Sequence, residues 1–143
     1  MAVRTIAESD IPAATMLIGQ LGYDMAQPEL ARRLTAVLAQ ADHNVWVYDD
    51  GGEVVGLLHA FYRPALDKPP EVIVQALVTE ASQRSKGVGE ALMQVAEDWA
   101  RKKGCASVAL YSRVDRERAH RFYERLGYEQ KAASAQLRKE LPG

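Results

Sequence analysis

The chain has 143 residues, 48% of them hydrophobic and 26% charged, and this length can bury about two thirds of the unfolded surface, enough to fold without disulfides or a structural metal. Its 18 basic and 19 acidic side chains give a net charge of −1, which argues against a dedicated nucleic-acid binder because such proteins carry a basic excess. The single cysteine, Cys105, excludes an internal disulfide framework and a multi-cysteine zinc site.

The first half of the chain predicts a short strand, a pair of amphipathic helices and a β-hairpin. The predicted elements are a strand at Val3–Ile6, a helix from about Ile11 to Leu21, a second helix that opens at Pro28, and strands at Asn44–Tyr48 and Val54–Arg63. Pro12 suits the first turn of a helix, and Gly22 ends that helix. Residues 49–52 read Asp-Asp-Gly-Gly, a sequence that tolerates the positive φ of a tight hairpin turn.

The second half of the chain alternates between strands and helices. The predicted elements are a strand at Glu71–Thr79, a helix from near Gly87 to Gly104, a strand at Ser107–Ser112, a helix capped by Asp115 and ended by Gly127, and a final strand at Ala135–Leu141. The order β-α-α-β-β-β-α-β-α-β predicts a mixed α/β sandwich that contains one parallel crossover. Because no repeat or linker separates two cores, residues 1–143 are predicted to form a single domain.

Neither a membrane span nor a secretion signal is predicted. No segment approaches ~18 uninterrupted apolar residues, and the N-terminal ten residues lack the apolar core of a signal peptide. A cytoplasmic protein that does not engage a membrane is therefore expected.

Residues 84–89, which read Arg-Ser-Lys-Gly-Val-Gly, lie between a predicted strand and a predicted helix. A helix N-terminus exposes backbone N–H groups that lack acceptors, so it can bind an anion, and glycines let phosphate oxygens approach the backbone. Arg84 and Lys86 add positive charge. The spacing matches neither the P-loop nor the dinucleotide fingerprint, and a purely structural turn is the alternative for two glycines alone. In this strand-to-helix position the stretch predicts a phosphate or pyrophosphate site.

Two segments resemble motifs of the GNAT family of acetyl-CoA-dependent N-acetyltransferases. Residues 84–89, with the strand before them and Glu90-Ala91-Leu92 after them, resemble the family's Q/R-x-x-G-x-G/A coenzyme A signature. Residues 119–128, which read AHRFYERLGY, resemble its A-x-x-F/L-Y-x-x-x-G-F/Y segment. The resemblance implies the family fold, a single-domain mixed and mostly antiparallel central sheet with helices on both faces. It covers nearly the whole chain, most specifically residues 71–128.

The resemblance also implies that acetyl-CoA is the co-substrate and that no metal takes part. The pyrophosphate would rest on backbone N–H groups of the glycine turn, and the pantetheine arm would pair with the backbone of the preceding strand. The implied coenzyme-binding residues are Leu77, Val78, Thr79, Arg84, Ser85, Lys86, Gly87, Val88, Gly89, Glu90, Arg116 and Tyr123. Arg116 is a departure, since many members of the family have asparagine at this place.

In the family, the tyrosine of the second motif, here Tyr123, lies near the coenzyme sulfur and protonates the departing thiolate. A phenol with a pKa of ~10 can hydrogen-bond a thiolate whose thiol has a pKa of ~8.5, whereas a core aromatic is the alternative interpretation. Glu71, Glu80 and His59 are candidates for accepting the proton of the amine, but solvated or paired side chains have the same appearance in a sequence. Cys105 follows a helix end where a small buried residue is expected, so direct transfer in a ternary complex is preferred to an acyl-cysteine.

The acceptor pocket implied by the resemblance is formed by two loops, residues 21–27 and 62–70, in which Tyr23, Asp24 and Arg63 are the candidate contacts. The predicted function is acetyl transfer from acetyl-CoA to a primary amine of a small molecule or peptide. A homodimer is expected because small sheet proteins expose strands. Two alternatives are a non-catalytic acyl-CoA-binding module and a protein that binds nucleotide phosphates through the glycine turn.

Overall fold

A computed structural model describes residues 3–84, 86–112 and 116–143, and its centre is a five-stranded sheet. The strands follow the order β1-β2-β3-β4-β5, and only the last pair is parallel. The elements are β1 (Val3–Thr5), α1 (Ile11–Gln20), α2 (Gln27–Leu38), β2 (His43–Asp50), β3 (Glu53–Arg63), β4 (Glu71–Thr79), α3 (Val88–Lys102), β5 (Val108–Leu110) and α4 (Glu117–Arg125). Short 3-10 helices occur at Glu8–Asp10 and Ala81–Gln83.

The predicted α/β class is confirmed, together with the hairpin and the parallel crossover. Gly51 and Gly52 have φ values of 62° and 100°, and the carboxylate of Asp49 accepts the N–H of Gly52 at 2.7 Å. Glycine tolerates this backbone conformation, which explains the tight turn between β2 and β3. The single helix α3 connects β4 to β5, and these two strands run in parallel.

The sheet has a helix layer on each face. On one face, Val45, Val47 and Leu57 form a core with Ala14 and Leu17 of α1, and apolar residues of α2 pack against this core. The opposite face carries α3, and Trp46 of β2 meets Trp99 of α3 edge-to-face with the ring centroids 5.4 Å apart. Both sides of β2 and β3 are therefore covered, as the continuous apolar runs in these strands require.

The chain divides into two compact units, Met1–Tyr111 and Ser112–Gly143. The first unit holds the sheet with α1, α2 and α3, and the second holds α4 and the C-terminal segment. In the described part of the chain, no helix has the length and apolar character needed to cross a membrane.

The predicted final strand at Ala135–Leu141 is wrong, because this segment forms no strand in the structure. Its alternating sequence resembles a strand, but a strand exists only where a neighbouring strand accepts its backbone hydrogen bonds. Residues 131–143 are all exposed, with Leu137 and Leu141 at 91% and 80% exposure, and no described strand pairs with them. Asp115, the predicted cap of α4, lies outside the described residues.

A charged cluster joins the start of α1 to the sheet. The guanidinium of Arg4 on β1 donates to both carboxylate oxygens of Asp10, at 2.7 and 2.9 Å, and to Asp49 at 3.1 Å. The buried Asp10 carboxylate also accepts the N–H of Ala7 at 2.8 Å. These contacts orient α1 and hence the loop that follows it.

Replacing Asp10 with asparagine should lower the free energy of unfolding by about 2 kcal/mol at neutral pH, since a hydrogen bond to a charged partner contributes roughly 1.5–3 kcal/mol. The hydrogen bonds from Arg4 hold the pKa of Asp10 below its ordinary 3.8. The stabilisation is therefore present above that value and is lost as the pH falls through the lower pKa of the folded state.

Urea unfolding of the wild type and D10N across this pH range measures the effect. The exposed Asp50, which forms no ion pair with another described residue, supplies the control variant D50N, which should unfold like the wild type. A stability difference between wild type and D10N that does not shrink in acid would contradict the assignment.

Candidate active site

The glycine turn lies at the N-terminus of α3, as predicted. Gly87 adopts φ +84° and precedes the first helical residue, Val88. The first backbone hydrogen bond of the helix runs from the N–H of Ala91 to the carbonyl of Gly87. The N–H groups of residues 88–90 therefore have no acceptor within the helix, and they present a positive partial charge.

Gly56 on β3 holds this helix end close to the sheet, a role that the sequence analysis missed. A methyl group at Gly56 would lie 2.7 Å from Cγ1 of Val88 and 2.9 Å from Cδ1 of Leu92. Glycine permits this approach, whereas a larger residue would force the side chains of Val88 and Leu92 to shift. A glycine inside an otherwise largely apolar strand is the sequence signal that indicates a close contact.

The other predicted residues of the turn are mostly solvent-facing. The side chains of Arg84, Lys86 and Glu90 are exposed, whereas Val88 and Gly89 are buried. Ser85 lies outside the described residues. Two cationic side chains beside N–H groups that lack helical acceptors suit a polyphosphate. The carboxylate of Glu90 is itself an anion, so only the backbone of this residue can contact another anion.

Strand β4 has two different halves. Val72, Ile73 and Val74 pair with β5, but no described strand pairs with residues 75–79 on that side. Between the halves the register against β3 shifts, since His59 faces Ala76 and Ala60 faces Val74. The extra residue, Gln75, is a β-bulge, and bulges bend a strand and end its pairing.

The unpaired half of β4 offers main-chain donors and acceptors. The N–H of Glu80 donates to the carbonyl of Val55 at 2.8 Å, so the backbone groups of Glu80 face β3. Successive residues of a strand direct their backbone groups to opposite sides. The N–H and C=O groups of Thr79 and Leu77, one and three residues before Glu80, therefore point away from β3. Val78 instead packs its side chain into the core beside Leu17. An extended amide-bearing chain can add to this edge in the manner of a further strand.

Two of the three predicted proton acceptors lie at opposite ends of β4. Glu71 begins the strand, accepts from Arg63 at 3.0 Å and from the hydroxyl of Ser107 at 2.9 Å. Glu80 follows the strand, about 30 Å away at roughly 3.3 Å per residue, and its carboxylate accepts the N–H and the hydroxyl of Ser82. These hydrogen bonds hold the pKa of Glu80 below its usual range, which makes it a weaker base.

The three residues predicted to contact the amine acceptor lie in different environments. Tyr23 is 61% exposed, and the carboxylate of Asp24 lies close to Gly19 at the end of α1. Arg63 is the last residue of β3, where it pairs with Glu71, and no described residue is a hydrogen-bond partner of its buried Nε. The structure therefore brings Arg63 into an ion pair rather than into the loop that follows it.

Two further predicted residues, Arg116 and Tyr123, belong to the second unit. Arg116 precedes α4 and is exposed. The ring of Tyr123 meets Phe122 and Tyr128 edge-to-face, at centroid distances of 5.1 and 5.9 Å. Burial raises the pKa of Tyr123 to about 12, so its hydroxyl keeps its proton at neutral pH and is a hydrogen-bond donor.

Cys105 is buried, and burial raises the pKa of its thiol. The protonated thiol is a poor nucleophile, which agrees with the preference for direct transfer. Within the described ranges, no group of three or more His, Cys, Asp or Glu residues is placed to hold a metal ion.

Comparisons with known proteins agree with this architecture. The family described as Acetyltransferase (GNAT) family matches residues 13–128. An uncharacterized N-acetyltransferase of Bacillus subtilis, YhdJ, is 35% identical over 113 residues, which cover 78% of this chain and 80% of that protein. The glucosamine 6-phosphate N-acetyltransferase of Trypanosoma brucei brucei is 27% identical, over 97% of this chain and 95% of that one.

A solved structure with the same fold is that of the aminoglycoside N-acetyltransferase AAC(6′)-Iy in complex with CoA. It superposes with a TM-score of 0.87 over 97% of this chain and 94% of that chain, at 19% identity. At 19% sequence identity, this similarity is evidence for a shared fold only.

Proposed function

The chain belongs to the GNAT family of acetyltransferases, and on that premise we propose that it transfers the acetyl group of acetyl-CoA to a primary amine of a small molecule or peptide. The observation that carries the proposal is that two backbone features follow each other along the chain. The open edge of β4 at Leu77 and Thr79 leads, through one short 3-10 helix, to the glycine turn of α3. The first feature fits the amides of pantetheine, and the second fits a pyrophosphate.

The proposed chemistry is direct attack in a ternary complex. The lone pair of the neutral amine forms a bond to the thioester carbonyl carbon, the C–S bond breaks and the sulfur leaves as a thiolate, while the attacking nitrogen gives up one proton to a base or to water. Holding both reactants on one rigid sheet supplies the orientation that such a step requires. No acyl-enzyme is needed, in agreement with the buried and protonated Cys105.

Tyr123 is proposed to assist the departure of the thiolate. With a pKa of about 12, its hydroxyl is a weaker acid than the leaving thiol, whose ordinary pKa is ~8.5. Complete proton transfer from this phenol would therefore be uphill. Its contribution in the proposed mechanism is a hydrogen bond to the developing negative charge, which stabilises the transition state.

The proposed acceptor is a small-molecule or peptide amine bound near residues 21–27 and the exposed residues after β3. Tyr23 and Asp24 are the proposed contacts. An aminoglycoside and glucosamine 6-phosphate, the substrates named for the proteins compared above, are the amines with which a search should begin. A cytoplasmic location and a homodimer remain predictions, and light scattering of the purified protein tests the second.

A thermal-shift titration followed by an acceptor screen tests the proposal. Acetyl-CoA and CoA should raise the melting temperature, and ATP should raise it less, because the edge of β4 binds only the pantetheine arm. Release of free thiol is then measured with kanamycin, glucosamine 6-phosphate and 2-phenylethylamine. Tight acetyl-CoA binding without acceptor-dependent thiol release would favour the non-catalytic acyl-CoA module, and protection by ATP equal to that by CoA would favour a nucleotide site.

A further inference from the structure

Two histidines form a hydrogen-bonded pair beside the bulge of β4, and one of them, His59, is the third proton acceptor predicted from the sequence. Nδ1 of His43 on β2 lies 2.9 Å from Nε2 of His59 on β3. The ring of Phe61 stacks on His43 with the centroids 4.9 Å apart and the planes 14° from parallel. One nitrogen of the pair must donate and the other accept, so the two rings share one proton between them.

The register places this pair where the two halves of β4 meet. His59 lies opposite Ala76, the residue directly after Gln75 of the bulge. Because side chains alternate along a strand, His59 faces the same side of the sheet as Leu57, which belongs to the core under α1. His43, His59, Phe61 and Ala76 are only half-buried. The pair therefore lies at the edge of the buried core on this face of the sheet, where the side chains become partly exposed to solvent.

Few charges surround the pair. On this face of β3 and β4, the charged side chains are Arg63 and Glu71, which neutralise each other at 3.0 Å. Helix α1 carries no charged residue, and the charged residues of α2 are Glu29, Arg32 and Arg33, which form exposed ion pairs with one another. Across the described residues, no carboxylate bonds to either imidazole. Burial, followed by the proximity of His43, lowers the pKa of His59 to about 4.

We propose that His59 and His43 form a proton relay for the acetyl transfer, in which His59 takes the proton of the acceptor amine and His43 holds the resulting charge. This rests on the proposed function. The amine proton moves to Nδ1 of His59, for which the described residues provide no partner, while the proton on Nε2 of His59 moves to Nδ1 of His43. His59 remains neutral throughout, and His43 becomes an imidazolium that later releases its proton to solvent. His59 is then a catalytic residue, and His43 is a positioning residue that acts through it.

The test compares H59Q, H43Q and the double variant with the wild type. Each single variant should lower kcat about 100-fold, a typical contribution of general base catalysis. The kcat of the double variant should be about as low as that of either single variant and no lower, because a relay is broken by removing either member. A CoA-induced thermal shift equal to that of the wild type shows that each variant is folded. D50N, which lies at the opposite end of β2 from His43 and leaves both imidazoles in place, is the matched control and should retain kcat within about twofold.

The pH dependence of kcat separates a relay from a packing role. In the wild type, kcat should rise with pH and reach a plateau once the pair can accept a proton. In H59Q and H43Q, kcat should rise in proportion to the hydroxide concentration and should not reach that plateau. Variants with the wild-type kcat, or with a lower kcat and an unmoved plateau, would overturn the relay while acetyl transfer stands. A wild type that binds acetyl-CoA but acetylates none of the three amines overturns the proposed function, and the relay with it.

Discussion

Replacing Tyr123 with phenylalanine should lower kcat about 100-fold while the Kd for CoA stays within about twofold of the wild type. Removing one hydrogen bond that forms to a developing charge typically costs a factor of roughly 10²–10³. The ring contacts to Phe122 and Tyr128 do not involve the hydroxyl, so the packing of α4 should be unchanged. Steady-state thiol release and calorimetric titration with CoA measure the two quantities.

Y48F is the matched control for this experiment, because it removes a tyrosine hydroxyl from β2, outside the proposed site. Its kcat should equal that of the wild type. A Y123F enzyme with unchanged kcat would show that the phenol takes no part in the departure of the thiolate. A Y123F enzyme that has also lost CoA affinity would indicate a binding role instead.

Replacing Gly87 with alanine should weaken CoA binding about 30-fold. Gly87 has φ +84°, a conformation that costs other residues roughly 1–2 kcal/mol. A methyl group there meets no atom of the described residues within 4 Å, so on their side the space beside it is open to a ligand. Alanine therefore strains the turn and also places a methyl group beside the N–H groups proposed to hold the pyrophosphate. Calorimetric titration with CoA measures the loss.

The same helix supplies the control. Gly104 follows the C-terminal end of α3 with φ +78°, and a methyl group there likewise meets nothing within 4 Å. G104A should cost a similar amount of stability in urea unfolding but leave the Kd for CoA unchanged. Equal effects of G87A and G104A on CoA binding would mean that the glycine turn acts only through stability.

The sequence predicted the class of fold because its main signals are local. Gly22 and the run at residues 49–52 end elements through backbone conformation, and the apolar spacing of α3 repeats at helical intervals over four turns. The predicted strand at Ala135–Leu141 failed for the opposite reason. Its alternation is a local property, whereas a strand also needs a partner at a distance in the chain.

The features of the candidate site likewise divide into those encoded by adjacent residues and those that depend on distant parts of the chain. The glycine turn could be predicted because a helix N-terminus and its glycines are adjacent in sequence. The bulge at Gln75, the close approach at Gly56 and the pairing of His43 with His59 depend on register between strands, which no single segment encodes. Similarly, only the contacts of Glu80 with Ser82 reveal that this carboxylate caps a turn.

The open half of β4 has a consequence for the protein without its ligand. Unpaired N–H and C=O groups at a sheet edge are a template for pairing with another polypeptide, and they promote aggregation. Neither Leu77 nor Thr79 carries a charge that would deter such a partner. A ligand that occupies this edge thus also protects the solubility of the protein, so preparations that contain CoA should remain dispersed at concentrations at which the free protein associates.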